Sequence, residues 1–162
     1  MEVSLKEIKL ESRHILENLF PYYIYDMSEY MGWTPNENGL FTYNSGSFDI
    51  YWEKSDHIPY FIYFGEELAG FVLVRKYPEN DSIYDIAQFF VLRKFAGKGV
   101  GTKSLELVVR LFPGKWQIRV LMENSGALKF WKSAVSNLVG DNYEQSKSID
   151  FDLLMHFLSF EV

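Results

Sequence analysis

The sequence predicts a single mixed α/β domain in which strands and helices alternate around one sheet. Its 162 residues are enough for one domain with a sizeable core and too few for two ordinary ones. Apolar residues make up 48% of the chain and charged residues 23%, which is the balance of a globular protein and not of a disordered one. From residue 60 onward, strand patterns and helix patterns follow one another, as they do in a sheet with helical crossovers.

The first sixty residues predict helices and a loop. Apolar residues recur at helical spacing over residues 12–25, and Pro21 is expected to split that helix. Residues 36–46 are rich in Asn, Gly and Ser and therefore predict a loop. A short helix is expected to follow it and to end at Trp52.

A hairpin and a third strand come next. Residues 60–64 and 68–75 are aromatic and β-branched and flank a turn over residues 65–67, which predicts a hairpin. Residues 83–92 predict a third strand. Because its second half is almost continuously apolar, we expect this strand to be central in the sheet and buried on both faces.

Two helices and two strands complete the predicted order. Apolar residues at helical spacing over residues 105–112 predict a helix that the Pro-Gly pair at 113–114 ends. Residues 116–120 alternate as a short strand, and residues 127–138 carry a second helical stripe. Alternation over residues 151–157 predicts the last strand.

Composition excludes several classes of function. The net charge of -6 has the wrong sign for a protein that neutralises phosphate backbones, so nucleic acid is not an expected partner. The absence of cysteine excludes disulfides, a thiol nucleophile and Cys-containing zinc sites, and the three histidines are too far apart to indicate a metal site or a Ser-His triad.

Since neither a secretory leader nor a membrane-spanning run is visible, the expected location is the cytoplasm. Aromatic residues are unusually abundant, at 18% of the chain.

The most informative segment is VLRKFAGKGVGTKS at residues 91–104. A buried strand runs there into Gly97, Gly99 and Gly101 and then into a helix, with Lys98 adding positive charge. Glycine allows close approach to the backbone, and the first N–H groups of a helix lack intrahelical acceptors. The segment therefore predicts an anion-binding site.

Two familiar phosphate-binding motifs do not fit this segment. A P-loop needs a Gly-Lys pair beginning five residues after its first glycine, but five residues after Gly97 stands Thr102. A dinucleotide fingerprint that starts at Gly99 would need glycine where Ser104 stands. A pyrophosphate cradle over residues 96–101 remains, and a plain tight turn or another nucleotide-phosphate site stays open.

The segment resembles the GNAT superfamily of N-acetyltransferases, whose motif is Gln/Arg-x-x-Gly-x-Gly/Ala. A second motif of that superfamily, Asn-x-x-Ala-x-x-φ-Tyr, is matched by Asn124, Ala127 and Phe130. The resemblance in motif covers about residues 68–134. It implies one domain over residues 1–162, with a central mixed sheet of about six to seven strands and helices on both faces. It also implies acetyl-CoA as cofactor and transfer of its acetyl group to a primary amine.

The resemblance also implies which residues hold the cofactor. Backbone N–H groups over residues 97–102 would bind the pyrophosphate, and the main chain of residues 91–93 would pair with the pantetheine arm like an added strand. For Asn124, a helix N-cap explains the residue equally well. The implied cofactor site consists of Val91, Leu92, Arg93, Gly97, Lys98, Gly99, Val100, Gly101, Thr102, Asn124 and Trp131.

Two positions depart from the family pattern. Ala96 replaces the Gln or Arg that usually contacts phosphate, so we expect weaker binding of CoA and not its loss. Trp131 stands where many members carry a tyrosine thought to protonate the leaving thiolate, and an indole cannot supply a proton near neutral pH. Together they favour, as the alternative to an enzyme, a catalytically silent acyl-CoA-binding module. Because a thiol is acidic enough to leave as the thiolate, the missing acid does not exclude turnover.

Asp85 is the implied general base, since several relatives hold a glutamate at the matching position, and an aromatic environment is expected around it. The alternative is a carboxylate at the start of a strand that faces solvent. Tyrosines between Tyr22 and Tyr30, with Asp26 and Glu29, suit a cationic amine acceptor, although core packing explains the same residues. The implied reaction is direct attack of the amine on the thioester in a ternary complex, with no covalent enzyme intermediate.

Overall fold

The computed structural model describes the whole chain, from Met1 to Val162, as seven strands and four helices. The strands are β1 (Val3–Glu7), β2 (His57–Phe64), β3 (Glu67–Tyr77), β4 (Asn80–Val91), β5 (Lys115–Leu121), β6 (Tyr143–Asp150) and β7 (Leu153–Glu161). The helices are α1 (Arg13–Met31), α2 (Ile50–Glu53), α3 (Val100–Leu111) and α4 (Ser125–Val139). The predicted mixed α/β fold is confirmed.

All seven strands form one sheet in the order β1-β2-β3-β4-β5-β7-β6. Neighbouring strands are antiparallel except β4 and β5, which run parallel and are joined by the crossover helix α3. β4 is therefore central, as its apolar second half predicts. The two strands that the sequence did not predict, β1 and β6, are the two edges of the sheet.

Each face of the sheet buries its own hydrophobic cluster, so the expectation of helices on both faces is confirmed. Along β3, Phe71 and Leu73 pack with α1 and α2, whereas Val72 and Val74 pack with α3 and α4. This alternation follows from the two-residue period of a strand. The larger cluster is the one beneath α3 and α4.

Helix α1 passes through Pro21 without a break, so the expectation of a split helix is wrong. A proline inside a helix leaves the carbonyl four residues earlier without its usual N–H partner. Here that carbonyl belongs to Glu17, and it accepts a hydrogen bond of 2.8 Å from the Tyr43 hydroxyl. A side chain from the following loop thus replaces the missing backbone donor, and the helix continues to Met31.

A β-bulge in β4 changes which side chains face each side of the sheet. Leu73 pairs with Gln88 and Val74 pairs with Ile86, so Ala87 is the extra residue on β4. Before the bulge, Ile86 packs in the cluster beneath α3 and α4; after it, Phe89 packs against the same cluster. Ala87 and Gln88 consequently both face the side of the sheet that carries α1.

Candidate active site

β4 and β5 diverge soon after they meet. Their parallel pairing covers only Ile83–Asp85 on β4 and Lys115–Gln117 on β5. The rest of β4 keeps its pairing with β3 but has no partner strand on the β5 side. A gap therefore opens in the middle of the sheet, directly before the glycine segment.

Two residues of β4 direct their main-chain polar groups into this gap. Leu92 N–H donates to Ala69 C=O on β3 at 2.8 Å, which fixes the hydrogen-bonding phase of the β3-β4 pair. Since antiparallel residues alternate between bonding and non-bonding positions, Phe89 and Val91 face away from β3. This geometry is compatible with the expected pairing of the Val91 main chain with the pantetheine arm. The N–H of Leu92 is not free for such pairing, because it already donates to Ala69. Phe89, which the sequence did not indicate, is the second residue with main-chain groups in the gap.

The glycine segment has the geometry of a helix start with free donors. Gly97 and Gly99 have φ angles of 73° and 76°, which only glycine adopts readily. A Cβ at either position would meet no heavy atom within 4 Å, so the backbone is open to a ligand there. Backbone hydrogen bonding in α3 begins at Lys103, whose N–H donates to Gly99 C=O at 3.0 Å. The N–H groups of the residues before Lys103 in this turn have no backbone acceptor.

A cavity of about 530 Å³, here called the cofactor-side cavity, lies along this segment. Seven of the predicted cofactor residues line it: Val91, Gly97, Gly99, Val100, Gly101, Thr102 and Trp131. The Lys98 ammonium lies 6.0 Å from the Phe64 ring centroid and outside the cavity lining, and the expected binding of pyrophosphate by the Lys98 backbone N–H stays a prediction. Arg93 also lies outside it, with an exposed side chain paired to Asp26 at 2.7 Å.

A second cavity of about 430 Å³, here called the acceptor-side cavity, lies on the α1 side of the gap. It shares three lining residues with the cofactor-side cavity, namely Phe89, Ala127 and Trp131. The two cavities therefore adjoin at the gap between β4 and β5. Reactants that enter from opposite sides of the sheet would meet at this point.

Trp131 stands at the junction of the two cavities. It is 8% exposed, and its ring packs edge-on against Phe89 at 4.8 Å and Phe130 at 4.9 Å between centroids. A Cβ at Gly101 would lie 2.6 Å from the Phe130 ring, so a larger residue there would displace that ring. Three packed rings thus form a wall between α3 and α4.

Asn124 caps helix α4. Its side-chain oxygen accepts a hydrogen bond of 3.0 Å from Ala127 N–H, which is the N-cap arrangement left open by the sequence. It lines the acceptor-side cavity and is absent from the lining of the cofactor-side cavity. The geometry therefore supports the capping role more than the expected contact with cofactor.

Asp85 lies in surroundings that the sequence did not predict. Its carboxylate is fully buried and accepts hydrogen bonds from Arg75 Nε at 2.8 Å, from Arg119 Nε and Nη2 at 2.9 and 3.0 Å, and from Gln117 Nε2 at 3.3 Å. The alternative expectation, exposure to solvent, is wrong, and the groups that donate hydrogen bonds to the carboxylate are two guanidinium groups and an amide. A carboxylate that is held by two guanidinium groups and lines neither cavity is poorly placed to contact a substrate amine.

The ion pairs continue through Arg119 to a second buried carboxylate. Arg119 Nη1 donates to Asp150 at 2.7 Å, and the Tyr77 hydroxyl donates to the other oxygen of Asp150 at 2.6 Å. Burial alone would lower the pKa of the Arg119 guanidinium, but its pairing with Asp85 and Asp150 raises that pKa above the ordinary value. We call this group, with Arg75, the Asp85 network. Its two arginines and two aspartates balance in charge.

The tyrosines and acidic residues that the sequence suggested for an amine acceptor lie in different places in the structure. Tyr23 lines the acceptor-side cavity, and burial raises the pKa of its hydroxyl to about 12, so the phenol keeps its proton. Asp26 and Glu29 instead line a smaller neighbouring cavity of about 270 Å³. Tyr22 and Tyr25 are largely exposed and line neither cavity.

Sequence reasoning missed the Asp85 network and the far wall of the acceptor-side cavity. Arg75 and Asp85 are direct cross-strand partners, so a correct register for the hairpin would have exposed the pair. Leu153 and Met155 line the cavity from β7, a strand that lies about fifty residues after the glycine segment in the sequence. No local pattern connects these residues to the glycine segment.

Comparison with known families assigns the chain. The model of the acetyltransferase (GNAT) family matches residues 20–134, which is more than half of the sequence. The chain belongs to the GNAT family. Acetyltransferases of this family take the acetyl group from acetyl-CoA, which confirms the expected cofactor. No curated protein sequence matches this GNAT chain.

Solved structures show the same fold at low sequence identity. An acetyltransferase from Thermus thermophilus matches with a TM-score of 0.72 at 13% identity, covering 100% of this chain and 98% of that one. An aminoglycoside acetyltransferase, AAC(6')-Ib, in complex with coenzyme A matches with a TM-score of 0.72 at 16% identity, covering 99% and 95%. A spermidine N-acetyltransferase variant from Vibrio cholerae matches with a TM-score of 0.64 at 10% identity, covering 98% and 93%.

None of the four helices combines the length and the apolar character that crossing a bilayer requires. No three His, Asp or Glu side chains lie close enough together to form a metal site.

Proposed function

We propose that this GNAT chain transfers an acetyl group from acetyl-CoA to a primary amine, which attacks the thioester directly in a ternary complex. The observation that carries the proposal is the junction of two cavities at Phe89, Ala127 and Trp131. One cavity lies along free helix N–H groups, and the other opens on the opposite side of the sheet. A gap through a sheet with a cavity on each side suits a reaction between two separately bound molecules.

The residues along the gap fit acetyl-CoA. The N–H groups at the start of α3 are suited to bind its pyrophosphate, since Gly97 and Gly99 leave that surface open. The main chain of Phe89 and Val91 is suited to pair with the pantetheine arm. One of these two N–H groups is also available to polarise an acyl oxygen. Bound acetyl-CoA would supply an acetyl group activated as a thioester.

Proton transfer in this site does not run through the predicted residues. Asp85 is occupied by Arg75 and Arg119, so we assign it to holding the gap and not to acting as base. Trp131 is assigned to the wall between the cavities. At pH 7, loss of a proton from a lysine-like amine costs about 4–5 kcal/mol. An apolar cavity lowers that cost because it disfavours the ammonium form.

The experiment that tests this function has two readouts. Calorimetry with acetyl-CoA measures binding, and release of CoA thiol with a panel of primary amines measures turnover. We expect saturable binding and amine-dependent thiol release. Absence of binding at hundreds of micromolar acetyl-CoA would refute both the enzyme and its main alternative. As a control for the site, Gly99→Val should weaken binding, since its side chain would occupy the open surface in a strained backbone conformation.

The second candidate is a catalytically silent acyl-CoA-binding module. The observation that favours it is Trp131, which fills the place of the family tyrosine with a buried ring locked between Phe89 and Phe130. The two candidates agree on the ligand and differ on turnover. Binding of acetyl-CoA without thiol release from any amine in the panel would favour the module.

A further inference from the structure

The acceptor-side cavity is lined mostly by apolar residues. Seventeen of its 23 lining residues are hydrophobic. Helix α1 contributes Met27 and Met31 to one wall, and β7 contributes Leu153 and Met155 to another. A volume of about 430 Å³ is enough for a ligand the size of an aromatic ring with a short side chain.

The charged groups in this cavity cannot serve a second ammonium group. Only Arg119 and Asp150 carry charge among its lining residues, and they neutralise each other in a pair of 2.7 Å. The second oxygen of Asp150 accepts the Tyr77 hydroxyl. Of the two carboxylates in the neighbouring cavity, Asp26 is paired with Arg93, whereas Glu29 is exposed, has no ion-pair partner and lies outside the acceptor-side cavity. Within the acceptor-side cavity itself, a polycation would therefore lose its hydration without gaining counter-charges.

The apolar surface continues to the mouth of the cavity. Trp33 and Leu153 both line the cavity and remain 43% and 39% exposed. Phe151, at the turn between β6 and β7, is 79% exposed beside an adjoining cavity. Exposed apolar side chains that rim a cavity mark a surface which receives an apolar ligand.

We infer that the acceptor is a primary monoamine on an apolar, ring-bearing body, and not a polyamine or an aminoglycoside. This inference rests on the proposed function. An arylalkylamine and a peptide that begins with a large apolar residue both present this chemistry. The apolar walls would contact the body of the amine, and the aromatic residues Tyr23, Trp33 and Tyr43 line the same cavity, where cation–π contact with the amine end would be possible. The neighbours described above include enzymes for an aminoglycoside and for spermidine, whose several positive charges the present cavity does not match.

The first experiment compares amines with saturating acetyl-CoA. The values of kcat/KM, from thiol release, are measured for 2-phenylethylamine, tryptamine, a Phe-Ala dipeptide amide, spermidine and kanamycin, with propylamine as the ring-free control. We expect 2-phenylethylamine to exceed propylamine at least about tenfold, the gain from burying a ring, and to exceed both polycations. A dipeptide that outperforms both arylalkylamines would identify a peptide N-terminus as the source. A higher value for spermidine or kanamycin than for every ring-bearing amine would overturn the inference.

A set of variants tests the cavity itself. Met27→Glu adds a carboxylate to the wall, whereas Met27→Gln changes polarity without charge, and Asn18→Glu adds the same charge to an exposed position of α1. Met27→Glu should lower kcat/KM for 2-phenylethylamine at least about tenfold and raise it for spermidine. Met27→Gln should have a smaller effect on the first and none on the second. Asn18→Glu should leave both unchanged. An unchanged preference in Met27→Glu would contradict the assignment of this cavity to the acceptor.

Failure of the proposed function is separable from failure of this inference. If no amine is turned over, binding of 2-phenylethylamine and of spermidine to the CoA-saturated protein is measured by calorimetry. Tighter binding of 2-phenylethylamine supports the apolar acceptor class even without catalysis. Tighter binding of spermidine, or binding of neither, rejects it.

Discussion

Replacing Asp85 with asparagine should destabilise the protein far more than it alters the chemistry. The carboxylate is fully buried and receives two guanidinium groups and one amide. Asparagine keeps the shape but removes the charge, and its amide nitrogen must face a donor. Arg119 keeps Asp150 as partner, whereas Arg75 loses its ion pair.

The size of the effect follows from this arrangement. Removing one partner of a buried ion pair costs about 3–5 kcal/mol, because the other charge stays buried without compensation. For a chain of this length, that loss lowers Tm by roughly 6–20 °C. Since natural domains have only about 5–15 kcal/mol of stability, Asp85→Asn should shift the unfolding midpoint strongly.

The assay is urea unfolding of wild type and variants under one buffer condition. Asp81→Asn is the matched control, because Asp81 is an exposed aspartate on the same strand, and its effect should stay within about 0.5 kcal/mol. Arg75→Met removes the charge that Asp85→Asn leaves unpaired. The double variant should therefore lose about 1–3 kcal/mol less than the sum of the two single variants.

The result that would refute this reasoning combines stability and kinetics. If Asp85→Asn unfolds within about 1 kcal/mol of wild type, the carboxylate is not the centre of a buried network. If the same variant also loses the acidic limb of its pH–rate profile, Asp85 is the general base after all.

Three further predictions concern the cofactor, the junction and pH. Ala96→Arg restores a basic side chain at an exposed position on the cofactor-side cavity, and calorimetry should give about three- to tenfold tighter CoA binding, with weaker binding for Ala96→Glu. Trp131→Tyr and Trp131→Phe should have kcat values within about threefold of each other if no acid is needed; a hundredfold advantage for tyrosine, the scale of general acid catalysis, would contradict this. Burial raises the pKa of Tyr23 to about 12 and also raises the pKa of Tyr77, so the folded state holds protons that the unfolded chain releases above about pH 10. The free energy of unfolding should be undiminished below pH 10 and fall between about pH 10 and 12, less steeply in Tyr23→Phe; a flat profile there would disagree.

The elements that the sequence predicts correctly have an apolar pattern that matches their structural period, as in the hairpin, the central strand β4 and the helices α3 and α4. β6 has the sequence YEQSKSID and is exposed along nearly its whole length, so it carries no apolar alternation. An edge strand of this kind is held by its neighbour's backbone and not by its own side chains, which is why its residues give no pattern.

In the site, too, features that depend on local sequence could be predicted and features that depend on distant strands could not. The open glycine segment was predictable because it needs only local features, namely a left-handed backbone at Gly97 and Gly99 and free N–H groups at the start of the next helix. The surroundings of Asp85 were not predictable, because they depend on what lies across the sheet from it. Arg75 and Arg119 come from two other strands, and their effect on Asp85 exists only once the register is set.

The Asp85 network lies where the two central strands separate, and this position gives it a role. Asp85 pairs with Gln117 in the last rung of the β4-β5 ladder. Beyond that rung, Arg119 on β5 still reaches back to Asp85, while its other end is fixed to Asp150 at the far end of β6. β5 is therefore attached at once to the departing strand and to the opposite side of the sheet. Strand pairing ends at that rung, and beyond it the ion pairs of Arg119 connect β5 to both β4 and β6. Under the proposed function, Asp85 therefore holds the strands at the gap in place and does not act as the base.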